Sequence, residues 1–500
     1  MVLGYNKGQV MVFLGTDTST GTNVELTPQA RRQGVYVIGT TGTGKTTLLK
    51  SIACQDMIAG EGLCVLDPHG DMIDELLALV PRHRLNDVIL FAPGDDDQIA
   101  RPLGLNLFDC DRGDSKQVRR VTSTVIDTLY KLYFYSWGPR MEDLLRNAIL
   151  TLMEKPGTTL LDLWLILASP EQRAGYTHEL SDPHLQQFWN VQFAGYTRNS
   201  RDLVEIVGSS LNKIGRFLAD PHIRHIVAQP KNAFDIRQIM DERKILLVNL
   251  SKGDLGEDNS ALLGAVLVNL ILIAALTRRD TPPEQRVPFH LIVDEYQSFA
   301  TKSFPTLQSE ARKYGIDVIV AHQYRDQLDD LNRGSTLNVA NFIVFRTSGI
   351  DAAELATQFD NTPPAPKTKM QPQYKEVGRD AFGRILYAAQ QRASDSKTIY
   401  YEVEENPRLY SDMQAERANQ IAGFDNFYAL CRLVYNHELW EYPVAISSYC
   451  GVSEPQQVDH IRSRSLSYGT DRAQIEALIR ERYEGLDFDD IQGVREVSEE

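Results

Sequence analysis

The sequence is poor in cysteine and lacks the cysteine spacings that bind zinc. Its 500 residues include five cysteines, and no two of them form a C-x-x-C pair. A disulfide framework needs closely spaced cysteines in a short secreted chain, so neither a disulfide-stabilised fold nor a cysteine zinc site is predicted. We therefore expect a protein of a reducing compartment, the cytoplasm.

The sequence also lacks the pattern of a secretory leader. Its first residues, Met1-Val2-Leu3-Gly4-Tyr5-Asn6-Lys7, contain no basic segment followed by an apolar one. An almost wholly apolar stretch, 261–276, is shorter than the roughly 20 residues that cross a bilayer, and Asn269 lies at its middle. Because apolar strands at 244–250 and 289–293 flank it, we interpret it as the buried helix of a βαβ unit and expect no integral membrane segment.

There is no excess of basic charge. Lysine and arginine total 52 and aspartate and glutamate total 67, which gives a formal net charge of −15. This balance argues against a surface coated in positive charge, as in proteins that wrap DNA around themselves, but it allows a basic pore within an acidic particle. The content of 42% hydrophobic and 24% charged residues is typical of a folded protein, and no internal repeat is found.

Apolar strands and amphipathic helices alternate along two parts of the chain. Strand signals at 35–38, 63–66 and 88–91 are separated by helical signals, which is typical of a parallel sheet covered on both faces. From 111 to 220 the signals are helical, and the alternation resumes at Lys244. We therefore predict an α/β fold with a parallel-dominated central sheet and an inserted all-helical subdomain.

The strongest motif follows the strand at 35–38. The run Gly39-Thr40-Thr41-Gly42-Thr43-Gly44-Lys45-Thr46 fits G-x-x-x-x-G-K-[ST] in full and opens an amphipathic helix. Its glycines let backbone N–H groups turn toward phosphates, and the helix N-terminus adds partial positive charge. Lys45 would bind the β- and γ-phosphates of ATP and Thr46 would bind Mg²⁺, whereas a Gly/Thr-rich turn that binds nothing is the alternative. The predicted nucleotide-binding residues are Gly39, Thr40, Thr41, Gly42, Thr43, Gly44, Lys45, Thr46 and Thr47.

A second motif ends a later apolar strand. The run His290-Leu291-Ile292-Val293-Asp294-Glu295 places two adjacent carboxylates at the end of a strand, as a P-loop protein requires. Asp294 would hold Mg²⁺, and Glu295 would act as the general base for an attacking water. On its own, a strand that ends in Asp-Glu is more often explained by a helix N-cap.

Further polar residues follow neighbouring strands. Gln323 would lie at the same sheet edge as the P-loop and sense the γ-phosphate, with a surface glutamine as the alternative, and His322 is predicted to be solvated or packed in a loop. Asp67-Pro68-His69-Gly70-Asp71 is predicted to be a rigid turn beside the pocket rather than a metal site. Candidates for an arginine finger, which neutralises charge on the transferred phosphoryl group, are Arg312 and Arg346.

Together these motifs resemble the HerA/FtsK superfamily of ring-forming P-loop motors, and most closely the HerA-like ATPases and the coupling proteins of type IV secretion. The resemblance runs from about 34 to 360 and more faintly to 482. Its further marks are Leu66-Asp67-Pro68-His69-Gly70-Asp71, Trp137-Gly138-Pro139-Arg140-Met141-Glu142, Leu246-Leu247-Val248-Asn249-Leu250-Ser251-Lys252-Gly253, Val293-Asp294-Glu295-Tyr296-Gln297-Ser298-Phe299, Ser309-Glu310-Ala311-Arg312-Lys313-Tyr314-Gly315 and Ala321-His322-Gln323.

The resemblance implies a RecA-like P-loop NTPase fold with ATP and Mg²⁺ as cofactors. It implies Lys45, Asp294, Glu295 and Gln323 as catalytic residues, and it favours Arg312 as the arginine that reaches the neighbouring subunit. Relatives are typically hexamers that pull DNA through a central channel. HerA proteins have an N-terminal β-barrel and coupling proteins an N-terminal membrane anchor, and neither is recognised here. We therefore expect a motor that depends on a partner protein, such as a nuclease, a relaxase or a defence effector.

The resemblance also suggests a division of the chain into four segments. The α/β segments carry the Walker A and Walker B motifs, four prolines mark a loop or linker at 361–373, and acidic residues after Tyr483 suggest a solvated tail. The predicted segments are 1–110, the first part of the RecA-like domain; 111–225, the helical insertion; 226–360, the second part of the RecA-like domain; and 361–500, a linker, C-terminal extension and acidic tail.

Two functions from different classes remain open. The first is a helicase-like ATPase that translocates double-stranded DNA as a hexamer. The second is an ATP-gated assembly or recruitment module whose target is a protein, which the net charge of −15 slightly favours. A weaker third reading is an ABC-type ATPase, because Leu250-Ser251-Lys252-Gly253-Asp254 faintly resembles its signature loop. That run, however, precedes the Asp-Glu strand by a whole strand–helix unit.

Overall fold

The chain forms two compact units. In the computed structural model one unit comprises Met1–Phe345 and Asn426–Glu500, and the other comprises Arg346–Asp425. The sequence-based divisions at 110, 225 and 360 mark changes of pattern along the chain and do not coincide with these limits. The predicted acidic tail lies, apart from Glu484, outside the described residues. The structure describes residues 11–197, 203–364, 368–379, 382, 384–389, 398–404 and 408–484.

Fifteen strands are found among the described residues, and eleven of them form one sheet in the larger unit. In space this sheet has the order β2-β1-β15-β14-β9-β3-β8-β7-β4-β6-β5. The strands are β1 (Val12–Asp17), β2 (Asn23–Leu26), β3 (Val35–Ile38), β4 (Gly62–Asp67), β5 (Val88–Phe91), β6 (Ile245–Asn249), β7 (Phe289–Val293), β8 (Ile316–His322), β9 (Asn341–Phe345), β10 (Thr368–Pro372), β11 (Tyr374–Arg379), β12 (Ile385–Ala389), β13 (Tyr400–Glu404), β14 (Tyr428–Tyr435) and β15 (Glu438–Ile446).

The strands from β9 to β5 in this order run parallel, and we call them the parallel half. Every residue of β3, β4, β7 and β8 is buried, and these strands are apolar except for Asp67, His290, Asp317 and His322, so they do not alternate between apolar and polar residues. Parallel strands need crossover connections that place helices on both faces, which explains the continuous apolar runs in the sequence. The predicted parallel-dominated sheet is confirmed.

The remaining strands of this sheet form an antiparallel wing, made of β14, β15, β1 and β2. Strand β14 pairs antiparallel with β9, with Ala429 opposite Phe345, and also with β15. Strand β15 then pairs with β1, and β1 with β2. This part of the chain was predicted only as a C-terminal extension within 361–500. Its residues from Tyr428 to Ile446 are hydrogen-bonded into the central sheet.

Helices cover the sheet and form a separate helical region. All described elements between Ser115 and Val227 are helical, including π-helical segments at Phe188–Phe193 and Leu203–Gly208. The α-helices are α1 (Pro28–Arg31), α2 (Lys45–Ala59), α3 (Asp71–Leu79), α4 (Asp96–Ala100), α5 (Ser115–Tyr133), α6 (Pro139–Met153), α7 (Leu160–Ala168), α8 (Pro170–Thr177), α9 (Pro183–Gln187), α10 (Ala194–Thr197), α11 (Ser209–Ala219), α12 (Pro221–Val227), α13 (Ile236–Asp241), α14 (Lys252–Leu255), α15 (Glu257–Thr277), α16 (Phe304–Glu310), α17 (Asp330–Thr336), α18 (Gly349–Ala356), α19 (Tyr410–Ala422), α20 (Val458–Ser465) and α21 (Arg472–Tyr483).

Helix α15 contains the almost wholly apolar stretch of the sequence. Among the described residues it is the one helix long and apolar enough to cross a membrane, and 78% of its apolar window is buried inside the protein. The buried Asn269 at its middle donates a hydrogen bond from Nδ2 to Thr128 Oγ1 of α5, at 3.0 Å. The helix therefore packs inside the larger unit, as the βαβ interpretation predicts.

The smaller unit combines two helices with two pairs of strands. Helix α18 packs against α19, while β10 pairs antiparallel with β13 and β11 with β12. The prediction of a loop over 361–373 is wrong for Thr368–Pro372, which forms β10, with Pro372 opposite Tyr400. Proline is tolerated there because a strand of a two-stranded ribbon has one edge without a partner strand.

Candidate functional site

The P-loop connects β3 to α2 through two glycines in left-handed backbone conformations. Gly42 has φ +78° and Gly44 has φ +114°, which L-residues rarely adopt. A Cβ at Gly44 would also lie 2.8 Å from Phe427 Cδ1, so a side chain is excluded there by space as well. Within the loop, Thr43 Oγ1 donates to the Thr40 carbonyl oxygen at 2.7 Å. The shape of the loop thus depends on its glycines and on this internal hydrogen bond.

Lys45 is buried at the start of α2 and points into the loop. Its Nζ donates to the carbonyl oxygens of Gly39, at 2.6 Å, and Thr40, at 3.1 Å. Burial lowers the pKa of Lys45, and the charges of Glu295 and Asp294 oppose that shift. The predicted phosphate-binding ammonium therefore lies in the same charged pocket as the two predicted carboxylates.

Asp294 follows β7 and faces the first turn of α2. Thr46 Oγ1 donates to Asp294 Oδ2 at 3.1 Å, and the N–H of Glu295 donates to Asp294 Oδ1 at 2.9 Å. Burial, followed by the nearby charges of Asp67 and Glu295, raises the pKa of Asp294 to about 6. Hydroxyl and carboxylate oxygens are the ligands that Mg²⁺ prefers. The structure thus brings together the two residues predicted to hold the metal.

Glu295 has a strained backbone and two amide partners. Its φ of +45° is unusual for a residue other than glycine, and such strain clusters at functional sites. Its carboxylate accepts hydrogen bonds from Gln323 Nε2, at 2.8 Å, and from Gln297 Nε2, at 2.5 Å. Thr41 Oγ1 donates to Gln323 Oε1 at 3.1 Å. A chain of hydrogen bonds therefore runs from the P-loop through Gln323 to the candidate general base.

Gln297 is a residue to which the sequence analysis gave no role. It lies two positions after Glu295, inside the Asp-Glu motif, and its amide contacts the carboxylate of Glu295 directly. The contact could have been predicted from this spacing, because the short 3₁₀ turn Tyr296–Ser298 follows Glu295 and brings the side chain of residue 297 close to that of residue 295.

The prediction that His322 is solvated or packed in a loop is wrong. His322 ends β8, is fully buried, and its Nε2 lies 2.5 Å from Tyr36 Oη. Arg325 Nη1 donates to the same Tyr36 oxygen at 3.4 Å and to Thr336 Oγ1 at 3.0 Å. Burial, reinforced by the charge of Arg325, lowers the pKa of His322 to about 3. The neutral ring shares a hydrogen bond with the Tyr36 hydroxyl and forms part of the core next to Gln323 in the chain.

Asp67 closes the turn after β4. Its Oδ1 accepts from the N–H of His69 at 2.8 Å, and its Oδ2 accepts from the N–H of Met72 at 3.0 Å. These bonds hold the backbone of the turn in place, as its sequence predicts. No group of three or more His, Cys, Asp or Glu side chains that could hold a metal ion is found in the part of the chain that the structure describes.

Arg312 lies away from this site. It is exposed on the 3₁₀ turn Ala311–Tyr314, just before the amino end of β8, whereas Gln323 follows the carboxyl end of that strand. At about 3.3 Å per residue, the length of β8 separates the two by roughly 20 Å. The other candidate, Arg346, donates from Nη1 to the Phe424 carbonyl oxygen at 3.3 Å within the smaller unit. The structure does not bring Arg312 to the P-loop of its own chain.

Comparisons in sequence and in structure find proteins that are similar to this chain. No family model matches the chain. It is 24% identical over 379 residues to the type 4 coupling protein DotL of Legionella pneumophila subsp. pneumophila strain Philadelphia 1, over 64% of this chain and 48% of DotL. It is also similar in fold to the bacterial conjugative coupling protein TrwBdeltaN70, with a TM-score of 0.56 and 17% identity over 91% of each chain.

The chain thus resembles coupling proteins in sequence and in fold. It spans about half the length of the curated relative that it matches. The coupling-protein-like chain also has the fold of plasmid coupling protein TrwB in complex with ADP and Mg²⁺, with a TM-score of 0.53 and 17% identity over 86% of this chain and 89% of that one. The resemblance to coupling proteins and the RecA-like P-loop NTPase fold class, both predicted from the sequence, are confirmed.

Proposed function

We propose that the chain hydrolyses ATP and, as a cytoplasmic hexamer, uses this energy to translocate double-stranded DNA through a central channel. One observation carries the proposal: the P-loop, the Thr46–Asp294 pair and the Glu295–Gln323 pair meet at the carboxyl edge of the parallel half. This arrangement is the one that attack of water on a γ-phosphate requires. The similarity to conjugative coupling proteins supports DNA as the substrate.

The residues present fit ATP and Mg²⁺. The P-loop N–H groups and the ammonium of Lys45 would bind the phosphates, while the Thr46 hydroxyl and the Asp294 carboxylate would hold the metal. Bound Mg²⁺ would neutralise charge on the phosphates. The raised pKa of Asp294 supports this fit, because a buried carboxylate beside Asp67 and Glu295 lacks a sufficient positive partner in the protein itself.

Glu295 and Gln323 have separable roles in this proposal. Glu295 accepts a proton from the attacking water, because its carboxylate is held at the P-loop edge by two amide donors. Gln323 contacts both Thr41 of the P-loop and Glu295, so a change of nucleotide state in the loop is transmitted to the base through this side chain. The coupling of ATP hydrolysis to DNA movement would therefore begin at Gln323.

The first test is steady-state ATP hydrolysis with and without duplex DNA, beside the variant Glu295→Gln. We expect DNA to stimulate hydrolysis, and Glu295→Gln to lower the rate by about 10²- to 10⁴-fold while ATP binding persists, because the variant removes only a proton acceptor. The exposed Glu284→Gln is the matched control and should hydrolyse ATP normally. An unaltered rate in Glu295→Gln would refute its role, and hydrolysis indifferent to DNA would favour the second candidate below.

Arg312 is tested by mixing subunits. Because it lies at the opposite end of β8 from its own site, we expect Arg312→Ala to abolish hydrolysis in a homo-oligomer and to leave ATP binding intact. Oligomers that combine Arg312→Ala with Lys45→Ala subunits should regain part of the activity, since each supplies what its neighbour lacks. The exposed neighbour Lys313→Ala is the control. Loss of ATP binding in Arg312→Ala would place this residue in its own pocket or in the fold.

A second candidate is the ATP-gated recruitment module that acts on a protein. The β11–β12 ribbon exposes the large apolar side chains of Val377, Leu386 and Tyr387, and the net charge of −15 does not favour DNA. DNA affinity that falls steeply with salt would support the translocase, because phosphate contacts release counterions. Affinity for a partner such as a nuclease or relaxase that persists without DNA would support recruitment.

A further inference from the structure

An aromatic side chain outside the recognised motifs lies directly against the P-loop. Phe427 immediately precedes β14, which pairs antiparallel with β9 so that Ala429 lies opposite Phe345 at the end of β9. Because β14 runs opposite to the parallel strands, its first residues lie at the edge where those strands end. Phe427 therefore reaches the nucleotide site from the amino end of a strand.

The position of Phe427 is fixed by the P-loop itself. A Cβ built on Gly44 would lie 2.8 Å from Phe427 Cδ1 and 3.4 Å from Cε1, so the edge of the ring rests against the Gly44 backbone. The N–H of Phe427 donates to the Thr43 carbonyl oxygen at 2.8 Å, and its carbonyl oxygen accepts from the N–H of Ile446 at 2.7 Å. Both backbone groups are satisfied, one by the P-loop and one by β15.

Packing alone does not account for this residue. Phe427 has φ +67°, a strained conformation for a residue with a side chain, yet 46% of its surface is exposed. A ring that served only the core would be covered, since burial is what an aromatic side chain contributes to stability. Strain held in place by two backbone hydrogen bonds beside a P-loop is typical of a ligand contact.

We propose that the exposed part of the Phe427 ring stacks on the purine base of the nucleotide held by the P-loop. This inference rests on the proposed function, because it needs a nucleotide at that loop. The phosphates have their own partners in the loop N–H groups and Lys45, whereas an uncharged ring offers a surface for an aromatic base. Stacking does not read hydrogen-bond patterns, so Phe427 accepts adenine and guanine alike.

The test compares three ligands that share the triphosphate. ATP, ribose 5-triphosphate and tripolyphosphate are titrated in the presence of Mg²⁺ into the full chain and its variants Phe427→Ala, Phe427→Leu and Phe427→Tyr, by calorimetry. We expect the alanine and leucine variants to bind ATP roughly 5- to 100-fold more weakly and to bind the other two ligands within about twofold of the parent. The tyrosine variant keeps an aromatic ring and should bind ATP like the parent.

The other outcomes overturn the proposal. Equal weakening for all three ligands would mean that Phe427 only supports the shape of the P-loop. Weakening shared by ATP and ribose 5-triphosphate but not by tripolyphosphate would place the ring on the sugar, and unchanged ATP affinity would remove it from the site. If the alanine variant fails to fold, the leucine and tyrosine variants still make the comparison. A parent chain that binds none of the three ligands refutes the proposed function, before any variant is compared, and the role of Phe427 with it.

Discussion

The parallel half and the antiparallel wing of the central sheet are built from different kinds of sequence. In the parallel half, buried and mostly apolar strands each lead into a polar segment at the same edge: β3 into the P-loop, β7 into Asp294 and β8 into Gln323. The wing joins strands from opposite ends of the described chain, since β1 pairs with β15. The parallel half is therefore recognisable from local sequence patterns, whereas the wing depends on the pairing of strands that are far apart in the chain.

This difference determines where functional residues are found. In parallel strands the carboxyl ends share one edge, so the residues that follow each strand meet there. In the wing β14 runs the other way, so the residue that reaches the same edge, Phe427, comes before its strand. A search for residues after strands therefore finds the P-loop, Asp294 and Gln323 and misses Phe427. Residues of both regions therefore border the P-loop, although the parallel half carries all of the recognisable motifs.

The largest effect is expected at the buried ion pair between α1, the helix that follows the wing strand β2, and the P-loop helix α2. Arg31 in α1, which follows β2, donates from Nη1 and Nη2 to the two carboxylate oxygens of Asp56 in α2, at 2.5 and 2.8 Å. Both side chains are buried. We expect Asp56→Ala to lower the free energy of unfolding by about 3–5 kcal/mol, because it leaves the Arg31 charge buried without a partner. Denaturant unfolding measures this.

A second ion pair on the same helix provides the control. Lys50 of α2 pairs with Glu75, whose side chain is 57% exposed. An exposed pair of this kind contributes about 0–1 kcal/mol, so Glu75→Ala should be nearly neutral. If Asp56→Ala cost as little as Glu75→Ala, the buried pair would not hold the two regions together, and the wing would be expected to unfold independently of α2.

The sequence predicts the features that depend on local motifs better than those that depend on the pairing of distant segments. The roles of Lys45, Asp294 and Gln323 were predicted from local motifs, and the structure places these residues together because parallel strands share an edge. The Arg31–Asp56 pair and the position of Phe427 depend on which distant segments pair, and no local pattern encodes that. His322 was misjudged for a related reason: its partner, Tyr36, lies on a neighbouring strand rather than nearby in sequence.

Alanine substitutions at two P-loop glycines test whether contact with Phe427 influences the loop. Gly42 and Gly44 both have positive φ, but a Cβ at Gly42 would meet no described atom within 4 Å, whereas one at Gly44 would collide with Phe427. Each alanine substitution incurs about 1–2 kcal/mol of backbone strain. We expect Gly44→Ala to weaken ATP binding by a further tenfold or more relative to Gly42→Ala, since only Gly44 contacts the wing. Calorimetric dissociation constants for the two variants decide this, and equal values would mean that the wing does not influence the loop.

The buried polar interior of the parallel half predicts a sensitivity to acid. The folded-state pKa of His322 is lowered to about 3 from 6.5, so the unfolded chain takes up the proton first. The stability that His322 contributes is therefore complete above pH 6.5 and is lost as the pH falls, by about 2 kcal/mol at pH 5. Melting temperatures between pH 7.5 and 5 should fall less steeply in His322→Gln than in the parent. The exposed His83→Gln should follow the parent, and identical slopes in all three proteins would contradict this assignment.

The smallest effect concerns Asn269 in the apolar helix α15. Its Nδ2 donates to Thr128 Oγ1 at 3.0 Å, but its buried Oδ1 has no hydrogen-bond partner among the described residues. A buried acceptor without a partner costs about 1–3 kcal/mol, while one neutral hydrogen bond contributes about 1 kcal/mol. Thr128 keeps its own bond to the Thr124 carbonyl oxygen when the amide is removed. We therefore expect Asn269→Leu, whose side chain branches at Cγ like that of asparagine, to stabilise the larger unit by up to about 1 kcal/mol in denaturant unfolding.

Asn269→Ala separates polarity from packing at this position. It removes the same amide but leaves a cavity, so it should destabilise by about 1–3 kcal/mol while Asn269→Leu does not. If both variants destabilised to the same extent, the hydrogen bond to Thr128 itself would be what holds α15 against α5. A polar residue at the centre of an apolar helix would then fix how that helix packs, and the parallel half would depend on a specific long-range contact much as the wing does.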